Sequence, residues 1–232
     1  MAEAQPDVSG TDAVGHRARL RGRLIEQGGD ALLDHELIEY LLALAIPRRD
    51  TKPLAKALLR EFGGIGNLIS ADAQALLRID GVGETAVAAI KIVQATALRL
   101  LRAEIIAKPV LSSWQALLDY LRADMAYLGI ERVRILHLNS KNMLIRDEVM
   151  AEGSIDQAAV PVREVIRRAI DLGSASIILV HNHPSGDPQP SRADIQLTRD
   201  IVEAGRRLNV SVHDHIIVGT QGHASLRALG LM

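Results

Sequence analysis

One short segment in the last quarter of the chain constrains the fold more than any other. An apolar run, residues 177–180, leads into His181 and His183, and strand alternation places these two imidazoles on one face. Ser191 then begins a helical pattern whose first turn contains Asp194. The residues between strand and helix break regular pairing: Pro184, Gly186, Pro188 and Pro190. The sequence therefore predicts a strand, a rigid turn and a helix that bring two imidazoles and one carboxylate together.

The same residues are compatible with two kinds of site. Two histidines and one carboxylate that leave a fourth position open are the ligands of a hydrolytic zinc centre. Ser191 and Asp194 also have the spacing of a helix capping box, and histidines at a strand end are compatible with a solvated loop. The letters His-Asn-His do not indicate the nuclease of that nickname, because its residues are spread over a longer ββα unit. The pattern by itself leaves the capping and metal alternatives open.

The wider motif resembles a known family. The pattern His-x-His, seven residues, Ser, two residues, Asp is similar to the signature of the JAMM (MPN+) zinc metalloproteases. The amino-acid sequence of residues 181–191, together with that of residues 161–165 and 214–219, resembles the RadC branch of that family. The resemblance extends to the N-terminal half through residues 46–50, 52–54 and 81–83, so it covers essentially the whole chain.

The resemblance implies a fold, an activity and a set of site residues. It implies an N-terminal all-α helix-hairpin-helix domain followed by an α/β JAMM/MPN domain, a mixed sheet with flanking helices of the cytidine-deaminase-like kind. By resemblance, Zn²⁺ would be held by His181, His183 and Asp194, and its water would have a pKa of about 7. Glu131 would be the general base and Ser191 the oxyanion donor. The expected activity is that of a zinc-dependent metallohydrolase, a peptidase or isopeptidase with a protein or peptide substrate.

A second histidine pair lies nearer the C-terminus. Residues 210–218 alternate like a strand, so His213 and His215 are expected on one face and Asp214 on the other. A second metal pair is conceivable, but no third ligand follows at a short spacing. The pattern favours a neighbouring strand whose polar side chains hydrogen-bond near the first site, with Asp214 or His215 as the supporting group.

Composition limits the remaining possibilities. A chain of 232 residues with 48% apolar and 24% charged residues is typical of a globular protein with two modest domains. The absence of cysteine excludes thiol nucleophiles, disulfides and sulfur-ligated zinc, and it is consistent with the cytoplasm. No apolar run has the length of a membrane span, so we expect no membrane contact. The pattern favours no particular oligomeric state.

The order of elements predicts two domains. Residues 1–14 read as a flexible tail, 15–107 as the helical domain, 108–113 as a linker and 114–232 as the catalytic domain. Helical spacing recurs in residues 20–24, 33–46, 54–62, 68–77 and 84–106. The α/β half is predicted from strands near 131–138, 143–151, 175–182 and 210–218 and helices near 162–172 and 192–208.

The helical half contains a glycine turn of the type that can bind the DNA backbone. Residues 79–86 fit a helix-hairpin-helix, in which Gly81 and Gly83 allow the turn and expose amides to a phosphate. A structural hairpin without a ligand is the alternative. Residues 1–108 contain 14 basic and 14 acidic residues, so weak, salt-sensitive duplex contact is the most that is expected. A basic patch could still form from residues 16–23, Arg48, Arg49 and Lys52.

Two hypotheses of different class follow. The first is a zinc-dependent hydrolase in which the helical half docks or targets the enzyme. The second is a DNA-associated repair accessory protein, in which the hairpin binds duplex DNA and the metal domain is structural or serves interactions. The intact set of candidate ligands favours the first.

Overall fold

The structure is a computed structural model that describes residues 9–153 and 160–232. The chain divides into two compact units, Met1–Ala95 and Thr96–Met232. This division lies within the long helix Glu84–Ala107, which contains no glycine or proline and whose later apolar residues join the second core. The linker at residues 108–113 stays a prediction. Val110, in the expected linker, is fully buried within the second unit.

The N-terminal unit is built from helices. Residues 9–14 of the expected tail lie in the first helix, and residues 1–8 are outside the described residues. The expected helix over 68–77 is divided, because the Asp72 side chain accepts hydrogen bonds from the amides of Gln74 and Ala75 and so starts a new helix. The helices are α1 (Ser9–Gln27), α2 (Asp34–Ala45), α3 (Lys52–Phe62), α4 (Ile65–Ser70), α5 (Ala73–Leu77) and α6 (Glu84–Ala107), the last of which extends beyond the unit.

Amphipathic helices give this unit its own core. Leu42, Leu58, Leu68 and Ile90 are fully buried members of one apolar cluster contributed by α2, α3, α4 and α6. Gly63 ends α3 in the left-handed region, with φ of 75°, where a residue without Cβ is unstrained. Within residues 9–153 and 160–232, no helix combines the length and the apolar character needed to cross a lipid bilayer.

The C-terminal unit contains a five-stranded mixed sheet in the order β2-β1-β3-β4-β5. Strands β3 and β4 are parallel, and every other neighbouring pair is antiparallel. The predicted fold class, a helical half followed by an α/β half, is confirmed. The short fifth strand was not predicted. The elements are α7 (Trp114–Met125), β1 (Glu131–Leu138), β2 (Leu144–Gly153), α8 (Val162–Asp171), β3 (Ser176–Asn182), α9 (Arg192–Arg207), β4 (Ser211–Gly219) and β5 (Gly222–Ser225).

Helices cover both faces of the sheet because the inner strands are apolar on both sides. One cluster joins Ile178 and Val180 of β3 to the apolar face of α7. The opposite cluster joins Ile177 and Leu179 of the same strand to α8 and α9. The connection from β3 through α9 to the parallel strand β4 places the carboxyl end of β3 beside the start of α9, where ligand sites of α/β proteins commonly lie.

A β-bulge at His213 corrects one expectation. Ile177 of β3 pairs with Val212 and Ile178 pairs with Asp214, so His213 is the extra residue of β4. Its ring Nε2 lies 2.8 Å from Asn142 Oδ1, in the turn between β1 and β2. The expected shared face of His213 and His215 is therefore wrong. The bulge reverses the alternation and turns His215, rather than its neighbours, toward β3 and α9.

Candidate metal centre

The loop after β3 is hydrogen-bonded to the end of β4 and to the turn between β4 and β5. The His183 amide donates to the Val218 carbonyl at 2.9 Å, and the Gln221 amide donates to the Gly186 carbonyl at 3.1 Å. Gly186 has φ of 87°, and a Cβ on it would collide with the Thr220 hydroxyl. These contacts fix the predicted rigid turn, so the end of β3 and the start of α9 are held at a constant separation.

The three candidate ligands meet at this point. His181 Nε2 lies 3.0 Å from His183 Nε2 and 3.3 Å from Asp194 Oδ1, and His183 Nε2 lies 3.6 Å from Asp194 Oδ2. A tetrahedral zinc ion with bonds of about 2.05 Å separates its ligand atoms by about 3.3 Å. The separations are close to this value, with His181 facing Oδ1 and His183 facing Oδ2 of Asp194, and one ligand atom of each residue lies within 4.8 Å of the others. The donor set of two imidazoles and one carboxylate suits zinc.

Hydrogen bonds behind His181 determine which of its nitrogens carries the proton. Thr198 Oγ1 donates to the Asp194 carbonyl at 2.5 Å, so it must accept from His215 Nδ1, which lies 2.6 Å away. His215 Nε2 is then unprotonated and accepts from His181 Nδ1 at 2.8 Å. This assignment, made from the hydrogen-bond network, leaves a lone pair on His181 Nε2.

His183 has the same arrangement through a backbone group. Its Nδ1 lies 2.8 Å from the Asp187 carbonyl, which can only accept, so Nδ1 donates and, in the neutral ring that a metal ligand requires, Nε2 carries the lone pair. Two imidazole lone pairs and a carboxylate thus face one another within 3.6 Å. Such a group is favourable when a cation lies among its members, and the ring N–H of a metal-bound histidine normally donates to a group behind it.

Ser191 and Asp194 form a capping box and still leave groups available to the site. The Asp194 amide donates to Ser191 Oγ at 3.2 Å, and the Ser191 amide donates to Asp194 Oδ2 at 2.7 Å. The box orients the Asp194 carboxylate, while Oδ1 remains directed at His181. Ser191 Oγ acts only as an acceptor in the box, so its own hydroxyl proton is available to a ligand. Capping and metal binding are therefore compatible alternatives.

Burial and charge set the protonation of these groups. Burial lowers the pKa of His181 to about 4, which keeps the imidazole neutral at pH 7. Without a metal, the protonated His183 ring can donate from Nε2 to Asp194, and this interaction raises the pKa of His183. Burial alone would raise the pKa of Asp194, but hydrogen bonds from protonated His183 and from Ser191, with attraction to His181, hold it well below its ordinary value. Asp194 is thus an anion, as a metal ligand must be.

Glu131 lies beside this group at the first position of β1. The last β1–β3 pair is Val133 with His181, so the antiparallel register continued by two residues sets Glu131 opposite His183 on the same face. The side chain is half-buried, and no described residue forms a hydrogen bond or ion pair with its carboxylate. Burial raises the pKa of Glu131, and the nearby Asp194 carboxylate raises it further. A base with a raised pKa beside the candidate ligands suits proton transfer.

The structure distinguishes between His215 and Asp214, the two residues predicted to support the candidate ligands. His215 is fully buried and contacts His181, whereas Asp214 bonds the Ser225 hydroxyl at 2.5 Å and the Arg227 amide at 3.1 Å. Gly81 and Gly83 belong to the other unit. Sequence reasoning missed Thr198 and Asn182. Thr198 lies four residues after Asp194 on α9, so helical spacing could have suggested that the two share a face.

Fold and site together define an α/β protein whose candidate metal centre joins a strand end to the next helix. A profile for the RadC-like JAB domain matches residues 111–231, and a profile for the UPF0758 N-terminal domain matches residues 13–88. The chain therefore belongs to the RadC-like JAB domain family, which confirms the resemblance to the RadC branch. The wider JAB family includes metallopeptidases and is typically zinc-dependent.

Proposed function

We propose that this protein is a zinc-dependent metallohydrolase that cleaves an amide or isopeptide bond in a peptide or protein. The proposal depends mainly on one observation. The Nε2 lone pairs of His181 and His183 and the Asp194 carboxylate converge at zinc-like separations, each fixed from behind by a hydrogen bond. A site with three such ligands and an open fourth position is the arrangement of hydrolytic rather than structural zinc.

Glu131 and Ser191 supply the remaining chemistry. When bound, zinc supplies Lewis acidity that makes water nucleophilic at neutral pH and polarises a carbonyl. The Glu131 carboxylate accepts a proton from the attacking water and delivers it to the leaving nitrogen as the carbon–nitrogen bond breaks. The Ser191 hydroxyl, whose proton the capping box leaves unused, donates to the oxyanion that develops on the carbonyl oxygen.

The test compares three forms of the full chain: wild type, His181→Ala and Glu131→Gln. We expect one zinc per chain in wild type and in Glu131→Gln, and loss of zinc in His181→Ala. Each form is then screened against a peptide library and ubiquitin-like conjugates. Hydrolysis by wild type alone supports the proposal. Bound zinc without hydrolysis of any substrate by wild type would favour the accessory-protein hypothesis.

A second candidate, weak binding of duplex DNA by the helical unit, is supported by a different observation. The Arg17 guanidinium donates to the carbonyls of Pro47 and Arg49, and Arg49 Nη1 donates to the Gly81 carbonyl at 2.9 Å. Basic residues of α1 and of the loop before α3 therefore adjoin the glycine turn before α6. Phosphate contacts require such charges beside free helix amides, although Asp80 and Glu84 oppose them.

A mobility-shift assay at low salt tests this second candidate. Arg49→Ala removes a charge, and Gly83→Leu obstructs the start of α6, where an added Cβ meets no atom within 4 Å. Gly81 is less suitable, because any Cβ there collides with the Arg49 guanidinium. Arg60→Ala, on α3, is the charge-matched control. Equal duplex binding by all four proteins would remove the glycine turn from any DNA-binding role.

A further inference from the structure

Asn182 stands between the two candidate ligands and is fully buried. Because strand residues alternate, its side chain lies on the face opposite those of His181 and His183. The regular β1–β3 ladder ends one residue earlier, with the pair Val133 and His181. Asn182 therefore occupies the position at which pairing between the ligand strand and the strand of Glu131 stops.

The Asn182 side chain replaces the missing backbone pairing. The Arg132 amide donates to Asn182 Oδ1 at 2.8 Å, and Asn182 Nδ2 donates to the Ile130 carbonyl at 3.0 Å. One carboxamide thus bonds the main chain immediately before and immediately after Glu131. A fully buried amide is costly unless its donor and acceptor are both used, so these two bonds explain a polar residue at this position.

We propose that Asn182 is a positioning residue that holds Glu131 over the candidate metal centre, an inference that rests on the proposed function. Glu131 is the first residue of β1; it pairs with Gly153 of β2, but on the β3 side the backbone ladder has already ended. The Asn182 side-chain bonds to Ile130 and Arg132 continue the connection to β3 by the two residues that carry Glu131 to its place opposite His183. An error of about 1 Å in such a place can lower the rate about 100-fold.

Residues 181–183 thus carry both the candidate ligands and the group that positions the general base. His181 and His183 bind on one side of β3, and the residue between them reaches across to β1 on the other side. The distance between ligands and general base is thereby set within a single strand. Substitution of Asn182 should separate base positioning from metal binding, because neither histidine hydrogen-bonds to its side chain.

Two variants of the full-length protein test the inference. Asn182→Leu has a similar size and removes both hydrogen bonds. Asn182→Asp keeps an acceptor for the Arg132 amide but places an oxygen against the Ile130 carbonyl. Asn139→Ala is the matched control, because Asn139 is the amide that caps the other end of β1 by accepting from the Lys141 and Met143 amides at 2.9 and 3.0 Å.

Two readouts do not depend on turnover. In Asn182→Leu, amide exchange at Arg132 should become at least 10-fold faster relative to Val133, and zinc affinity should stay within about threefold of wild type. The NMR signal of the Glu131 carboxyl carbon should shift when zinc is added to wild type and should shift less in the variant. These measurements test the clamp even if wild type proves to have no hydrolytic activity.

Once a substrate that the protein hydrolyses is known, kcat of each variant is the third measurement. Asn182→Leu should lower kcat about 10- to 100-fold with KM nearly unchanged, Asn182→Asp should fall between it and wild type, and Asn139→Ala should match wild type. The inference is overturned if Arg132 exchange is unaltered in Asn182→Leu, if that variant loses zinc, or if its kcat equals that of Asn139→Ala. Should the Leu variant fail to fold, the Asp variant decides by the readouts that depend on the lost bond to Ile130: retained zinc with a smaller zinc-induced shift of the Glu131 carboxyl carbon and a lowered kcat supports the inference, and a wild-type shift, or a kcat equal to that of Asn139→Ala, overturns it.

Discussion

His181 Nδ1 donates a hydrogen bond to His215 Nε2 over 2.8 Å, and this bond determines which nitrogen of His181 faces the candidate ligands. The chain continues from His215 to the Thr198 hydroxyl and ends on the carbonyl of Asp194. One candidate ligand is thus linked through two buried side chains to the backbone of another. Supporting groups of this kind orient a ligand and fix its tautomer.

Replacing His215 by Phe should lower zinc affinity about 10- to 100-fold without changing the stoichiometry of one zinc per chain. The ring volume is kept, but the acceptor for His181 Nδ1 is lost, so His181 can take the wrong tautomer. His213→Phe is the control, because His213 lies two residues away on the same strand and contacts Asn142 instead. Competition with a chromophoric chelator measures both affinities. Equal affinities in the two variants would contradict the role of His215.

Glu131→Gln should bind zinc as tightly as wild type and lose hydrolysis by a factor of about 100 to 10,000. The amide has nearly the same shape as the carboxylate but cannot accept the proton from water. Glu203→Gln, an exposed residue of α9 paired with Arg207, serves as the control for removal of one negative charge. Steady-state turnover of the same substrate measures the effect. Undiminished turnover in Glu131→Gln would exclude this residue from the mechanism.

Two substitutions at Ser191 separate its capping role from its role in hydrolysis. Ser191→Ala should destabilise the protein by about 1 kcal/mol, whereas Ser191→Gly should cost only a few tenths, because glycine is tolerated at a helix start. Both remove the hydroxyl donor, so both should lower kcat about 100- to 1000-fold. Urea unfolding and turnover measure the two effects separately. A Ser191→Gly protein with wild-type kcat would show that the hydroxyl acts only as a cap.

His137 should make the zinc-free protein sensitive to acid. The residue is fully buried, its Nδ1 lies 3.0 Å from the Ser174 hydroxyl, and burial lowers its pKa to about 4 from an ordinary 6.5. Between those two values the unfolded chain binds a proton that the folded chain does not. The free energy of unfolding should therefore fall as the pH falls through this window, with a slope of up to about 1.4 kcal/mol per pH unit from this residue.

His137→Gln tests this dependence, because glutamine can bond Ser174 but does not titrate. The variant should show a smaller slope between pH 6.5 and pH 4 than wild type when both are unfolded with urea in the presence of a chelator. His181 and His215 are also buried with lowered pKa values, and they contribute to both proteins alike. Parallel curves for the two proteins would mean that His137 binds a proton equally well when folded and unfolded.

The fold was predictable where local pattern and packing agree. Apolar periodicity located the four long strands and most of the helices, and the prolines after His183 located the turn that joins β3 to α9. The fifth strand, Gly222–Ser225, was missed because its four residues carry no apolar alternation and pair only with β4. The bulge at His213 was missed because one extra residue changes the face of every following side chain without altering the composition.

The candidate site was predictable to the extent that its residues lie in one motif. His181, His183, Ser191 and Asp194 fall within one strand-turn-helix segment, so their spacing along the chain determines their meeting in space. The groups that support them come from pairing between distant strands. Asn182 acts on β1 and His215 acts from β4, and neither contact has a signal in the local sequence.

Joint binding of one zinc ion by His181, His183 and Asp194 can be observed by anomalous diffraction at the zinc absorption edge, from crystals of the full chain grown with zinc. We expect one strong peak, about 2.0 to 2.2 Å from Nε2 of both histidines and from a carboxylate oxygen of Asp194. No peak among these three groups at saturating zinc, or a peak bound by other residues alone, would contradict it.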